Sequence, residues 1–351
     1  MTRVQKKELV SFLTLVLSSS VLGVLFSVLV SFIVQGSFQG PHLLIILKLG
    51  FCTGFFISFA LYCVGIFFNR YAPLPLWFTF FIQPLIFAIV IATIYGGFFL
   101  YFLGLETFLE NSFVIHTLVF SFIITTTVIF FENLERLLGQ NVLRGLIFGT
   151  YHKPINESRF VMFLDIAGST SIAEKLGDIV FHAFLNDFFC DISATILNHS
   201  GQIYKYVGDE VIITWKEVDG IKNQSPLAVF FEIDRVMSKR ENYYMSRYGV
   251  VPEYRAGLHF GSLVAGEMGL HRQEIAFSGD AMNTTSRIQS ECRPLGERFL
   301  VSSAAVEKLC PPGSATNFCT IVSQGTSMLR GKKQEIEIHA VHNSLVTYPS
   351  T

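Results

Sequence analysis

Charge is nearly absent from the first third of the chain. The 351 residues include 26 Lys/Arg and 27 Asp/Glu, yet residues 1–130 hold only eight of them: Arg3, Lys6, Lys7, Glu8, Lys48, Arg70, Glu106 and Glu110. The other 45 fall in residues 131–351. Soluble proteins average about 25% charged residues, so two different solvents are implied. The six cysteines form no CxxC pair and no Cys/His cluster with zinc spacing. Packing is therefore the expected role of Cys52, Cys63, Cys190, Cys292, Cys310 and Cys319. A net charge of −1 gives no electrostatic basis for nucleic-acid binding. Disorder, collagen and a small disulfide-stapled scaffold are excluded by composition, and no repeat or low-complexity tract is visible.

What fills the uncharged part is four apolar runs, roughly Leu9–Val34, Leu43–Phe68, Leu74–Leu103 and Ser112–Phe131. Each meets the ~20 residues that a helix needs to cross a bilayer. They predict a four-span α-helical membrane domain over residues 1–131, with the lipid bilayer as its partner. The third run contains Pro84, which a membrane helix absorbs as a kink. Arg3, Lys6 and Lys7 before the first run place the N-terminus in the cytoplasm, and Arg70 places the second loop there too. The loop with Glu106 and Glu110 has no Lys or Arg and is expected outside. The first run is too long for a cleaved signal and reads as an anchor. Four spans return the remainder to the cytoplasm, giving a multi-pass protein of the cell membrane. Lys48 reads as a snorkelling lysine; the sharper alternative has it facing Glu106 or Glu110 in a site for an unidentified ligand. His116 reads as a packing or interfacial residue.

Residues 132–158 read as a helical connector. Leu134, Leu137, Leu138 and Val142 recur at helical spacing, weakened by Gly139, Gly145 and Gly149, and Pro154 ends the pattern. From Arg159 strands and helices alternate. RFVMFLD reads as a buried strand ending in Asp165. GSTSIAEKLG and DIVFHAFLNDFFCDISATILNHSG read as helices, the second stopped by Gly201. QIYKYVGDEVIITW reads as a hairpin turning at Gly208 and Asp209. Pro226 to about Tyr248 is helical, and EYRAGLHFGSLVAGEMG reads as a second strand pair about Gly261. HRQEIAFSG then leads into a helix, DAMNTTSRIQSEC. The order βαββαβ predicts a ferredoxin-like α+β domain over 159–341, followed by a tail at 342–351.

In that layout the end of the first strand and the hairpin tip converge, bringing Asp165 and Asp209 together. Two carboxylates with room for water and phosphate oxygens suit two Mg²⁺ ions. Taken alone, an Asp at a hairpin tip is usually a turn former.

FLDIAGSTSIAEKLG, KYVGDEVIITW, SGDAMNTTSRIQ and LRGKK occur in that order over about Arg159–Val341. Together they resemble the class III nucleotidyl cyclase catalytic domain, and four apolar spans ahead of such a domain resemble the membrane-anchored bacterial adenylate cyclases. The resemblance implies conversion of ATP to 3′,5′-cyclic AMP and pyrophosphate, by attack of the 3′-hydroxyl on the α-phosphate. Asp165, Asp209 and the carbonyl of Ile166 match metal-binding positions, for two Mg²⁺ or Mn²⁺ ions per site. Lys205 matches the base-reading position, where a lysine suits N1 of adenine and a glutamate suits guanine. Asn283 matches the ribose-orienting asparagine, Arg287 the arginine that meets charge on the α-phosphate, and Arg330, with Lys332 as an alternative, a triphosphate-binding cation. Because the two sets come from opposite protomers in this family, the resemblance implies a homodimer with two sites. The direct join of span, connector and domain suggests regulation through the membrane half, the alternative being that the spans only anchor and dimerise the enzyme.

One position departs from the pattern. The second base-reading residue is Ala276, whose methyl group accepts nothing from the adenine amine; Lys205, backbone carbonyls or Ser278 then carry the selection. Guanylate or mixed specificity is one alternative, and a catalytically silent receptor is another. A diguanylate cyclase is disfavoured, since Tyr-Val-Gly-Asp-Glu-Val lacks that family's second glycine and phenylalanine.

Overall fold

The computed structural model describes residues 149–271, 274–311, 318–327 and 335–344, the helices at 42–71 and 78–110, and shorter helical pieces within 10–28 and 119–134, with Gly145. The chain forms two compact units, Met1–Leu137 and Leu138–Thr351.

The first unit is helical. Helix α1 (His42–Tyr71) has 30 residues and α2 (Gln83–Glu110) has 28, each longer than the ~20 that span a hydrocarbon core. Within the third apolar run, Phe78–Ile82 forms a π-helical turn that continues directly into α2. Pro84 follows this turn by two residues, and a π-helical turn is one way that a helix accommodates proline's missing N–H. The first and fourth runs are described only in part, so four spans are not established here. Among the described residues, the helix that passes as a span by both length and apolar composition is Asp178–Asn198, which belongs to the second unit and buries its apolar side there. Among the described residues of this unit, Ser20, Thr53, Ser58, Gln83 and Asn133 are buried, as are Val16, Phe87, Ile91, Tyr95 and Ile129, while Leu17, Leu22, Phe55, Phe59, Leu85 and Ile89 are exposed. The hydroxyls of Ser20, Thr53 and Ser58 donate to carbonyls of their own helices at 2.7–3.2 Å. A side chain at Gly23 or Gly54 would strike the facing helix backbone. Lys48 is exposed; the side chains of Glu106 and Glu110, and all of His116, lie outside the described residues.

The second unit is built on an eight-stranded sheet: β1 (Ile155–Ile166), β2 (Gln202–Val207), β3 (Glu210–Lys216), β4 (Tyr254–Met268), β5 (Glu274–Ser278), β6 (Phe299–Ser302), β7 (Cys319–Ser327) and β8 (Ile336–Asn343). The strand order β2-β3-β1-β4 continues through β6-β8-β7, and β5 pairs with β4. The first four strands are the expected ferredoxin-like core. Phe160, Met162, Leu164 and Ile166 of β1 join one buried cluster and Val161 and Phe163 another. Both faces are covered, which is why RFVMFLD carries no polar alternation before its aspartate. Helices α4 (Asp178–Asn198) and α6 (Ser225–Tyr248) cover the first face with Phe184, Phe188, Ile192 and Phe230. Helix α3 (Ser169–Leu176) follows β1, the short α5 (Glu217–Ile221) precedes α6, and α8 (Ser303–Leu309) follows β6. Helix α7 (Asp280–Glu291) lies on the second face, through Ala281.

Two glycines act differently from the sequence expectation. Gly261 turns no hairpin; it lies inside the continuous 15-residue β4. There β4 passes from its partner β6 (register to Leu258–Val301) to β5 (from Val264–Ser278). A Cβ on Gly261 would come 3.1 Å from that of Ala281, and one on Gly257 would strike the backbone of Gln289. These glycines therefore seat α7 on the sheet. The stop of α4 is likewise not a left-handed Gly201. Ser200 takes the left-handed conformation (φ 58°) and donates to Leu197 O, while Gly201 donates to Ile196 O, a Schellman motif. Gly201 is needed for space, since its Cβ would meet Ile196 and Trp215.

Candidate active site

The alternation of β1 decides where Asp165 points. It continues the row of Val161 and Phe163, so it faces α7 at the end of the strand. Its register partners are Glu210 on β3 and Arg255 on β4. Its Oδ2 accepts from Gln289 Nε2 at 3.3 Å, which the close seating of α7 over Gly257 makes possible. Asp209 follows Gly208 (φ 63°) in a two-residue turn closed by the Val207–Glu210 pair, and a glycine first in such a turn matches the twist of the strands. The turn brings the Asp209 carboxylate against that of Asp165. Burial, then the Asp209 charge and hydrogen bond, raise the Asp165 pKa to about 6. Burial, then the Asp165 and Asp209 charges, raise that of Glu210 to about 7. These groups repel one another when ionised.

A cleft of about 570 Å³ opens beside Asp165, lined by Ile166, Gly168, Thr170, Arg255, Gln289 and Arg293 among others. Among the described residues no set of three or more His, Cys, Asp or Glu side chains is arranged as a metal site. Two facing carboxylates with the Ile166 backbone nonetheless form a hard-oxygen donor set of the kind Mg²⁺ takes, completed by waters and phosphate oxygens. The pair's unfavourable ionisation is what a divalent cation would relieve.

The remaining predicted residues lie elsewhere on the chain. Lys205 projects from β2, and its Nζ meets Glu274 Oε1 and Oε2 of β5 at 3.2 and 3.3 Å. Ala276 and Ser278 lie on β5, Ser278 exposed. Asn283 and Arg287 are one turn apart on α7, on the same face. Gln289, two positions past Arg287, lies about 200° around the helix. Helix α7 thus presents Gln289 to the acidic pair and Asn283 with Arg287 to another side. Among the described residues no hydrogen bond or ion pair links Asp165 or Asp209 to Lys205, Asn283 or Arg287. Arg330 and Lys332 lie outside the described residues, between the paired ends Ser327 and Ile336 of β7 and β8.

Three residues beside these motifs escaped sequence reasoning: Arg255, Gln289 and Glu274. Arg255 opens a strand, and only the register that sets it opposite Asp165 singles it out. The buried thiol of Cys292, pushed up to about 12 by burial, donates to Ala256 O and is a packing residue, as expected.

Residues 151–343, more than half of the chain, match the family described as the adenylate and guanylate cyclase catalytic domain. Adenylate cyclase 2 of Rhizobium meliloti (strain 1021) is 32% identical over 224 residues, 64% of this chain and 61% of that protein. Guanylate cyclase D of Mus musculus is 31% identical over 209 residues, 57% of this chain and 18% of that protein. The chain thus spans less than two thirds of either relative. A bacterial light-regulated adenylyl cyclase shares the fold at a TM-score of 0.53 and 20% identity, over 63% of this chain and 64% of that one. The chain belongs to the class III adenylate and guanylate cyclase family.

Proposed function

We propose that the protein is a membrane-bound adenylate cyclase that converts ATP to 3′,5′-cyclic AMP and pyrophosphate at two composite sites of a homodimer. The facing carboxylates of Asp165 and Asp209, the first of which lines the cleft of about 570 Å³, carry this reading. The 3′-hydroxyl attacks the α-phosphorus, its proton is lost, and the bond to the β-phosphate oxygen breaks. Asp165, Asp209 and the Ile166 carbonyl would hold two Mg²⁺ or Mn²⁺ ions, which lower the pKa of that hydroxyl and offset phosphate charge. Arg255, facing Asp165 across the sheet, meets triphosphate charge from the cleft wall. Arg287 meets the charge that develops on the α-phosphate, and Asn283 holds the ribose so that attack is in line. Arg330 or Lys332 takes the terminal phosphates. Lys205 donates to adenine N1.

The separation of the two residue sets within one chain supports their meeting across a dimer, with Asp165 and Asp209 of one protomer completing a site with Lys205, Asn283 and Arg287 of its partner. A second reading, guanylate or mixed specificity, has Ala276 in its favour. The membrane reading rests on the first unit, where Ser20, Thr53 and Ser58 are buried, as are Phe87 and Ile91, while Leu17, Leu22, Phe55 and Phe59 are exposed, as suits small-residue helix contacts in lipid. We infer a membrane domain at 1–131, a connector at 132–158 and a catalytic domain at 159–341. The catalytic domain would lie in the cytoplasm.

The test is full-length protein in nanodiscs, given ATP or GTP with Mg²⁺ or Mn²⁺. Cyclic AMP from the parent and none from Asp209→Ala is the expected result. Cyclic GMP as the main product would favour the second reading. No cyclic product from folded, dimeric protein would overturn both.

A further inference from the structure

The contact between Lys205 and Glu274 is built rather than incidental. The ladder between β2 and β3 slips between Ile203 and Lys205, and such a bulge re-aims the side chains beside it. Regular alternation would send Tyr204 and Lys205 to opposite faces. Here both reach β5. Tyr204 stacks on Phe277 (centroids 4.4 Å apart, 11° between planes), and its hydroxyl accepts from Phe277 N at 2.9 Å. Arg159 packs on Phe277 from below, 4.9 Å from the ring centroid. Lys205 meets Glu274 at 3.2 Å. Glu274 and Ala276 alternate with Ile275, so they share a face of β5. The ion pair itself contributes little to stability, because its side chains are 44% and 42% exposed and water screens them.

From this arrangement we propose that Glu274 is a specificity-determining residue: its carboxylate accepts from the 6-amino group of adenine, in place of the acceptor that Ala276 lacks. The proposal rests on the reading of Lys205 as the base-reading residue. An ammonium has three donors, so Lys205 keeps its bond to Glu274 while donating to N1. The pair then presents one donor and one acceptor to the adenine edge. Guanine carries an oxygen where adenine carries the amine, so the same carboxylate repels GTP. Selectivity comes from an attractive and a repulsive element in one residue.

The test uses full-length protein with ATP, purine riboside triphosphate (ATP without its 6-amino group) and GTP. The parent is expected to favour ATP over the purine analogue by about tenfold in kcat/KM, the weight of one charge-assisted hydrogen bond. Glu274→Gln is expected to reduce that preference to about twofold and to raise GTP turnover, because its amide can donate to the guanine oxygen. Retention of the parent's ATP-to-purine ratio in Glu274→Gln would overturn the proposal, as would a parent that treats the two alike. A glutamate that only braces Lys205 would change both substrates equally. Competitive binding of α,β-methylene ATP and its purine counterpart gives the same contrast without catalysis. An affinity contrast lost in Glu274→Gln, in a chain that makes no product, would overturn the cyclase reading and keep this one.

Discussion

The acidic and basic groups of this chain are held in different ways. Asp165 and Asp209 are fixed by the backbone, one by strand register and the other by a two-residue turn. They are partly withdrawn from water, and burial with mutual repulsion lifts the Asp165 pKa to about 6. Asn283 and Arg287 ride on an open face of α7, and among the described residues no hydrogen bond or ion pair holds either. Lys205 is aimed by a bulge at a strand other than its ladder partner. Among the described residues no ion pair neutralises Asp165 or Asp209, and none engages Arg287. In the proposed function each is half of a site: one takes cations, the other an anion, and a nucleoside triphosphate with divalent ions would supply both.

The sharpest way to break this contrast is to remove one half. Asp209→Ala is expected to lower cyclase kcat by at least about 10³-fold, read as cyclic nucleotide formed at saturating ATP, because it removes a donor of the cation pair. Arg287→Ala removes a cation used mainly in the transition state, so kcat should fall about 10²–10³-fold with KM little changed. Arg255→Ala removes a cation that meets the triphosphate in the ground state as well. Its loss should appear chiefly in KM, by about tenfold.

The smallest effect concerns stability and needs no substrate. Raised carboxylate pKa values mean that the fold favours the protonated forms. That stabilisation is full below the ordinary carboxylate range and is lost as pH rises through about 6 and 7, the values of Asp165 and Glu210. In EDTA the unfolding temperature of the second unit should fall between pH 5 and pH 8 by about 2–4 °C, the scale of about 1 kcal/mol for a domain of this size. Asp209→Asn should flatten the slope. Mg²⁺ or Mn²⁺ should restore the parent at pH 8 and leave Asp209→Asn unmoved. A parent with no slope would deny the repulsion.

How much of this was legible depended on whether a residue's role was local. RFVMFLD announced a strand covered on both faces, and Gly208-Asp209 between strand residues announced a two-residue turn; both are set by neighbours along the chain. The sheet order β2-β3-β1-β4 followed from the order of elements. Gly261 misled because a glycine permits a turn and a close helix approach equally, and only the position of α7 tells them apart. Ser200 misled because a serine was not expected to take the left-handed place at the end of α4. Arg255, Gln289 and Glu274 were invisible for a third reason. Each acquires its role from register, from helix seating or from a bulge, none of which is written in spacing. The low charge of the first unit was legible in composition alone, whereas the burial of Ser20, Thr53 and Ser58 among its helices emerges only in three dimensions.

The central claim is that one chain's acidic half serves its partner's basic half, and complementation addresses it most directly. Asp209→Ala and Arg287→Ala chains, each inactive alone, would be co-expressed in equal amounts with different tags and assayed for cyclic AMP in nanodiscs. Random pairing in a two-fold dimer makes half of the dimers mixed, each with one intact site, so about a quarter of parental activity should return. Failure of the mixture to recover activity, with mixed dimers isolated through both tags, would contradict the account and return both halves to a single protomer.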